Sequence, residues 1–401
     1  PAMRRGRQQR SFNLGIALLV SLVVLGACGD DDNTSSEGGT TDGKKTIAIG
    51  MVGPLTGDNA NLGVNIRDGV KVAIDEWNKK STKYSYQLKE FDTQGDPAQA
   101  PTQKDRYIPD NSILGIVGPA FSGETKAVIP DLSAAGLVMV SASATNVALP
   151  TVVPDSKVFH RIIPDDDVQA KGVTDYVTKV IKPKKVALIN DNTEYGKGLW
   201  EGVVKLLKEA GVDVSTTDSV DPKSQDFSAA VNKVKSSKAD MVFYGGYYAE
   251  AGRLKKQLTD AGVKAKFISG DGSLDPGFLA SSGAAGGEGA LLTCPCRLAT
   301  PDLAGKAGEF ANSYKTAVGR DPGTYSSEGY DAASLLIAGI EAGNDTREKL
   351  LSYVENLGSF DGVSKTIEFE ANGNVKAGDV FVYEVKGGKL TELGRTSELA
   401  K

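Results

Sequence analysis

Histidine is almost missing from this chain: His160 is the only one in 401 residues. Metal sites built from two or three imidazoles, and the HExxH hydrolases, are therefore excluded. A Ser-His-Asp triad would have to recruit His160. It sits in VFHRIIP, which reads as a strand or an inter-domain connector. Cysteine is also scarce, with three residues: Cys28 alone, and Cys294 and Cys296 around Pro295. Long basic runs are missing from the body, and the net charge is −5, which argues against nucleic acid as the main partner. Phosphate-cradling loops are missing too. No GxxxxGK[ST] occurs, and the glycines Gly196, Gly198 and Gly202 have the wrong spacing for GxGxxG. A dinucleotide or ATP site is not expected, nor any other cofactor or metal. No period of about 20–50 residues repeats, so the chain is not a solenoid.

What is present begins with a targeting signal. Arg4, Arg5, Arg7 and Arg10 form a basic leader, followed by the apolar stretch Leu14–Leu25. That stretch is too short, and too closely followed by acids, for a good membrane span. Leu25-Gly26-Ala27-Cys28 resembles the bacterial lipobox, which implies that residues 1–28 are a lipoprotein signal and that Cys28 carries the lipid. Residues 29–45 (GDDDNTSSEGGTTDGKK) have almost nothing to bury and read as a flexible tether. Together these place a soluble body, held by a lipid anchor, on the outer face of the cell membrane. In that oxidising setting Cys294 and Cys296 are compatible with a tight disulfide or a free pair, and the setting favours the disulfide.

From Thr46 the signals alternate. Strands are expected at Thr46–Gly53, Tyr86–Asp92, Ile113–Val117 and Leu137–Ser141. Helices are expected at Asn65–Lys79, Asp96–Ile108 and Gly123–Ala135. The pattern restarts with strands at Lys185–Asn190, Val212–Ser219, Met241–Tyr244, Lys266–Ser269 and Gly289–Thr293. The helices between them are Tyr195–Ala210, Phe227–Ser236 and Glu250–Ala261. Two α/β units follow, with parallel sheets covered on both faces and a seam near Phe159–Asp166. Leu303–Val318, Ser326–Ala342 and Glu348–Asn356 read as later helices. Thr366–Glu370, Val380–Val385 and Lys389–Leu393 read as closing antiparallel strands.

Ligands in open α/β sheets bind outside the carboxyl ends of the strands. MVFYGGYYAE (Met241–Glu250) has that form: a short buried strand, two glycines that let a backbone approach a ligand, then Tyr247 at a helix start. Ser122, Gly123, Ser143, Ala144 and Thr145 follow strands of the first unit. Tyr195, Tyr247 and Asp271 follow strands of the second. Hydroxyls and helix-start N–H groups suit a carboxylate, and an acid with hydroxyls suits an ammonium. The set as a whole suits a zwitterion. Taken singly, Ser122 and Thr145 also fit helix caps, Tyr195 and Tyr325 core packing, and Asp271 a turn.

VGPAFSGET, MVSASATN, NDNTEYGKGL, DFSAAVNKVK, DMVFYGGYYAEAG and FISGDG resemble, in that order, the leucine/isoleucine/valine-binding proteins of branched-chain amino-acid ABC importers. The resemblance runs from about Thr46 to the C-terminus. It implies a type I periplasmic-binding-protein fold, two Rossmann-like lobes joined by three crossovers. Residues 46–163 and 297–376 would form one lobe, and 164–296 and 377–401 the other. It implies a monomeric receptor that captures an aliphatic amino acid by hinge closure and passes it to a membrane permease, without catalysis. Ser122, Ala144 and Thr145, with Ser143 beside them, would hold the α-carboxylate and share the ammonium. Tyr247 and Asp271 would hold the ammonium from the second lobe. Tyr195 and Tyr325 would be aromatic walls, with Leu62 and Phe121 against the ligand side chain. Better-known members carry Glu where this chain has Asp271 and an aromatic where it has Leu62. Phe121 stands where some have a disulfide-bonded Cys. A sensor of the same fold, binding an amide, a urea-like compound or another amino acid, is the alternative.

Overall fold

The computed structural model describes residues 40, 41, 43–376 and 378–401. The leader, the lipobox with Cys28 and most of the tether lie outside the described residues. Among the described residues, no helix is long and apolar enough to cross a membrane.

The chain opens with β1 (Thr40–Thr41) and β2 (Lys44–Gly53). It continues through α1 (Ala60–Lys80), β3 (Tyr84–Asp92), α2 (Ala100–Tyr107), β4 (Ile113–Val117), α3 (Ser122–Ala135), β5 (Val138–Ser141) and β6 (Phe159–Arg161). β3, β2, β4, β5 and β6 lie side by side in that order, all parallel. Ile47–Val52 and the whole of β4 and β5 are buried, as expected for parallel strands covered on both faces.

A second sheet is built from β7 (Lys185–Asn190), β8 (Asp213–Ser219), β9 (Met241–Gly245), β10 (Lys266–Ser269) and β11 (Leu291–Cys294). Between them run α4 (Asp166–Tyr176), which precedes β7, then α5 (Glu194–Glu209), α6 (Ser228–Ser237), α7 (Tyr248–Asp260), α8 (Pro276–Ser282) and α9 (Ala284–Gly287). The chain then returns to the first sheet with α10 (Lys306–Val318), α11 (Ser326–Glu341), α12 (Arg347–Glu355) and a small hairpin, β12 (Phe360–Asp361) with β13 (Thr366–Ile367). It crosses back once more, so that β14 (Phe381–Lys386) and β15 (Lys389–Arg395) close the second sheet as an antiparallel edge, before the short α13 (Thr396–Leu399). The chain thus passes between the halves three times. α11 lies against α1 at two glycines. A Cβ on Gly69 would strike the Ser326 carbonyl, and one on Gly329 the Ile66 carbonyl. Cys294 and Cys296 are joined as a disulfide around Pro295, beside the second passage.

Four expectations are corrected. α4 was not foreseen: its acidic start, Asp165 to Asp167, and Gly172 mask a buried stripe of Ala170, Val173 and Tyr176. Asp165 caps it, accepting from Val168 N at 3.2 Å. α2 starts at Ala100, not Asp96, because the Asp96 carboxylate accepts from Ala98 N at 2.8 Å and makes a turn. The strand expected over Thr366–Glu370 stops at Ile367; beyond it, only an isolated bridge joins Phe369 to Val375. α8 was also missed. His160 lies in β6, buried against the ring of Phe369 at 4.7 Å, and burial pushes its pKa down to about 4. It is a neutral core residue.

A candidate ligand site between the two sheets

The carboxyl ends of β4, β5, β7, β9 and β10 bring their following residues to one small cavity. Its lining includes Leu62, Phe121, Ser122, Ser143, Tyr195, Tyr247, Asp271 and Tyr325, all expected, together with Ala120 and Gly272. Its volume is about 10 Å³, room for roughly one water.

Each residue is held there by local chemistry. Phe121 precedes α3, and its N–H donates to Glu124 Oε2 at 2.8 Å. Glu124 is buried and also accepts from Thr93 Oγ1; burial pushes its pKa up to about 7. Ser122 is not a helix cap. Its Oγ accepts from Asn146 N at 3.2 Å, tying α3 to the loop after β5. Ser143 Oγ donates to the Ala120 carbonyl at 2.6 Å. In the other half, Asp191 accepts from Thr193 N and Oγ1, and Thr193 accepts from Gly196 N at 2.9 Å. That cap fixes the start of α5 and so Tyr195. The two glycines at the end of β9, Gly245 within it and Gly246 just past it, do not admit a ligand. Gly245 faces the Gly196 backbone, and Gly246 faces the Asp191 carboxylate and the Tyr244 hydroxyl. Gly272 is the glycine at the cavity: a Cβ there would lie 2.7 Å from the Tyr195 ring and 3.0 Å from that of Tyr247.

Asp271 is 1% exposed and gathers three donors. Oδ1 accepts from Gln169 Nε2 at 2.9 Å and Tyr195 Oη at 2.8 Å, and Oδ2 accepts from Tyr325 Oη. Burial raises its pKa, and the three hydrogen bonds oppose that. Tyr195 and Tyr325 are therefore donors to the acid as well as walls. Tyr325 does this from a left-handed backbone, φ 69°, a conformation rare for a bulky residue and costing on the order of 1–3 kcal/mol. Tyr247 does not reach Asp271 with its hydroxyl; it is engaged by its ring. It stacks on Phe121 with centroids 4.1 Å apart and tilts against Tyr195 at 5.1 Å.

Ala144 and Thr145 are buried but do not line the cavity. Arg161, fully buried in β6, donates to the carbonyls on either side of Thr145: Ala144 O at 3.2 Å and Asn146 O at 2.8 Å. That grip turns Thr145 towards Asp166, beside which its hydroxyl lies without a hydrogen bond of ordinary geometry. Asp166 and Gln169 are the residues that sequence reasoning missed. Both Asp166 oxygens and Gln169 Oε1 lack a hydrogen-bond partner among the described residues. Burial first, then the charge of Asp271, raises the Asp166 pKa well above its ordinary value. The signal that would have found both residues is the apolar stripe of α4.

The halves also meet at their rims. Asn61 Nδ2 donates to Asp275 at 2.8 Å, and Asn59 Oδ1 accepts from Ala249 N at 3.2 Å. On the other side Lys126 pairs with Glu194 at 2.8 Å, and Asn146 Nδ2 donates to the Glu194 carbonyl at 2.7 Å. The arrangement is closed. Chemically it presents acceptors for a cation at one end and apolar and aromatic surface at the other. Among the described residues no cluster suits a metal ion.

Known proteins share this plan. A family described as periplasmic binding protein matches residues 46–389. The Leu/Ile/Val-binding protein BraC3 of Rhizobium johnstonii is 31% identical, over 86% of this chain and 93% of its own. The leucine-, isoleucine-, valine-, threonine- and alanine-binding protein of Pseudomonas aeruginosa is 29% identical, over 84% and 90%. The crystal structure of the leucine-binding protein LivK from Thermotoga maritima superposes with a TM-score of 0.79 at 26% identity, covering 87% of this chain and 98% of that one. These relatives are solute-binding proteins, not enzymes, and their fold is the type I periplasmic binding fold, with two α/β halves crossed three times by the chain. By the extent of that match, through both sheets and all three crossings, the chain belongs to the periplasmic binding protein family.

Proposed function

We propose that this protein captures a small aliphatic α-amino acid between its two lobes and delivers it to the membrane permease of an ABC importer. The lobes are residues 46–163 with 297–376 and 164–296 with 377–401. The observation that carries the reading is Asp271: a buried carboxylate, fixed by three donors, at the edge of a cavity whose other wall is Leu62 and Phe121. Such a group calls for a cation, and an α-ammonium supplies one. Asp166 and Gln169 add acceptors on the same side. Ser122 and Ser143, on the cavity wall, would take the ligand carboxylate. Their present bonds to the protein would be exchanged for bonds to the ligand as the lobes open and reclose. The names of the two curated relatives, both Leu/Ile/Val binders, support the ligand class. The Leu-Gly-Ala-Cys28 motif supports a lipid anchor holding a monomeric receptor at the outer face of the membrane.

An apolar wall leaves a second ligand charge unpaired. Leucine, isoleucine and valine should therefore bind far better than glutamate, lysine or arginine. Discrimination among the three should be slight, since one methylene is worth about 1–3 kcal/mol. The test is isothermal titration with leucine, glutamate and a short aliphatic amide. Amide binding tighter than leucine points to a sensor of neutral ligands instead, and glutamate binding tightest means the pocket wall lies elsewhere.

A further inference from the structure

A second cavity, of about 510 Å³, opens where the chain passes between the halves. Glu328, in the first turn of α11, lines it and is 1% exposed. Its Oε2 accepts from Ser327 Oγ at 2.9 Å, while its Oε1 has no hydrogen-bond partner among the described residues. A buried carboxylate oxygen without a donor is rare in folded proteins and calls for an occupant. Lys365 lines the same cavity. Its Nζ donates to the Ile162 carbonyl at 3.0 Å, which uses one of the three donors of an ammonium. Lys365 and Glu328 attract one another without meeting as an ion pair. The rest of the wall includes Ala299, Leu303 and Phe381, which suit a compact apolar body.

Arg297, Asp379 and Arg395 also line the cavity but are paired, Arg297 with Glu392 at 2.9 Å and Arg395 with Asp379 at 3.2 Å, which leaves Glu328 and Lys365 as the two charges open to a guest, and these cancel. A guest of net charge would bring an uncompensated charge into the cavity, whereas a guest carrying both signs answers both walls with charge-assisted bonds. We propose that this crossover cavity is a second binding site, for a small zwitterion such as a free α-amino acid, with its ammonium on Glu328 Oε1 and its carboxylate on Lys365 Nζ. Ile162, Ala299 and Asp379 belong to the three different passages between the halves. Occupancy is therefore coupled to closure, and by linkage closure changes affinity at this site in return. The cavity shares no lining residue with the one between the sheets.

The test is equilibrium dialysis of radiolabelled glycine and leucine against the full chain. Asp271→Asn removes the site between the sheets, Glu328→Gln the charge in the cavity, and Ala304→Trp, at an exposed residue of the cavity rim, its space. At least one probe should be retained by Asp271→Asn, and adding either Glu328→Gln or Ala304→Trp should lower that retention at least tenfold. On the wild-type background, either change should reduce two sites to one, which keeps the test open if Asp271→Asn fails to fold. No second site for either probe, or retention untouched by both cavity changes, overturns the proposal. Acetamide held as tightly as glycine overturns the zwitterion assignment. Identical binding by wild type and Asp271→Asn would instead count against the amino-acid site between the sheets, and leave the cavity to its own variants.

Discussion

The ring of Phe121 lies on the ring of Tyr247, centroids 4.1 Å apart and planes 25° from parallel. One ring follows β4 of the first sheet and the other follows β9 of the second, so the stack spans the cleft. A ligand side chain has to displace it or lie against it. An aromatic pair of this kind is worth about 0.5–1.5 kcal/mol beyond its buried area. Phe121→Ala should therefore loosen closure and enlarge the pocket. The expected outcome is a shift of preference from valine towards phenylalanine or methionine, read by titration calorimetry. An unchanged ligand order would mean that the side chain does not meet this ring.

Asp271→Asn removes the formal counter-charge assigned to the ligand ammonium. Breaking one side of a buried charged pair costs about 3–5 kcal/mol, so leucine affinity should fall by roughly two to four orders of magnitude by the same relation. Calorimetry on this variant checks it, and near wild-type affinity would assign the ammonium to Asp166.

Glu124 makes the stability of the ligand-free protein depend on pH. Its folded pKa is raised from 4.5 to about 7 by burial. The folded state therefore favours the protonated acid. Its contribution is fully present below pH 4.5 and is lost as pH rises to about 7. The shift corresponds to on the order of 3 kcal/mol. Glu124→Gln should abolish that slope, so the melting temperature of wild type should fall relative to the variant between those two pH values. Parallel melting curves across the window would show that Glu124 is ionised throughout.

For the anchor, Cys28→Ser should release the protein from the membrane fraction or block its processing. Fractionation of cells expressing the variant decides this, and unchanged retention would leave Leu-Gly-Ala-Cys28 without a role.

How much of this was legible follows from where each signal resides. The strands were readable because parallel strands are buried on both faces, so Ile113–Val117 and Met241–Tyr244 form apolar runs ended by glycine. Site residues that follow such strands, Ser122, Tyr195 and Asp271 among them, inherited that clarity. α4 was hidden because three aspartates and a glycine outweigh a stripe of only a few apolar residues, and Gln169 was hidden with it. Tyr195 and Tyr325 were placed, yet not their hydroxyl bonds to Asp271, since a side chain's direction is set by neighbours distant in sequence. The position of Thr145 behind the cavity wall was hidden for the same reason. Nothing within its own loop announces that Arg161 grips the carbonyls on both sides of it.

The way the strands are shared out along the chain has a consequence for biosynthesis. β11 is completed by β14 and β15, and α1 is covered by α11, so each half waits for segments made long after its own beginning. Neither can be finished on the ribosome from the N-terminal portion alone. Long-range pairing of this kind is slow, because loop closure precedes any reward from contacts. The nascent polypeptide therefore stays incompletely packed until Arg395, the last residue of the second sheet, has emerged.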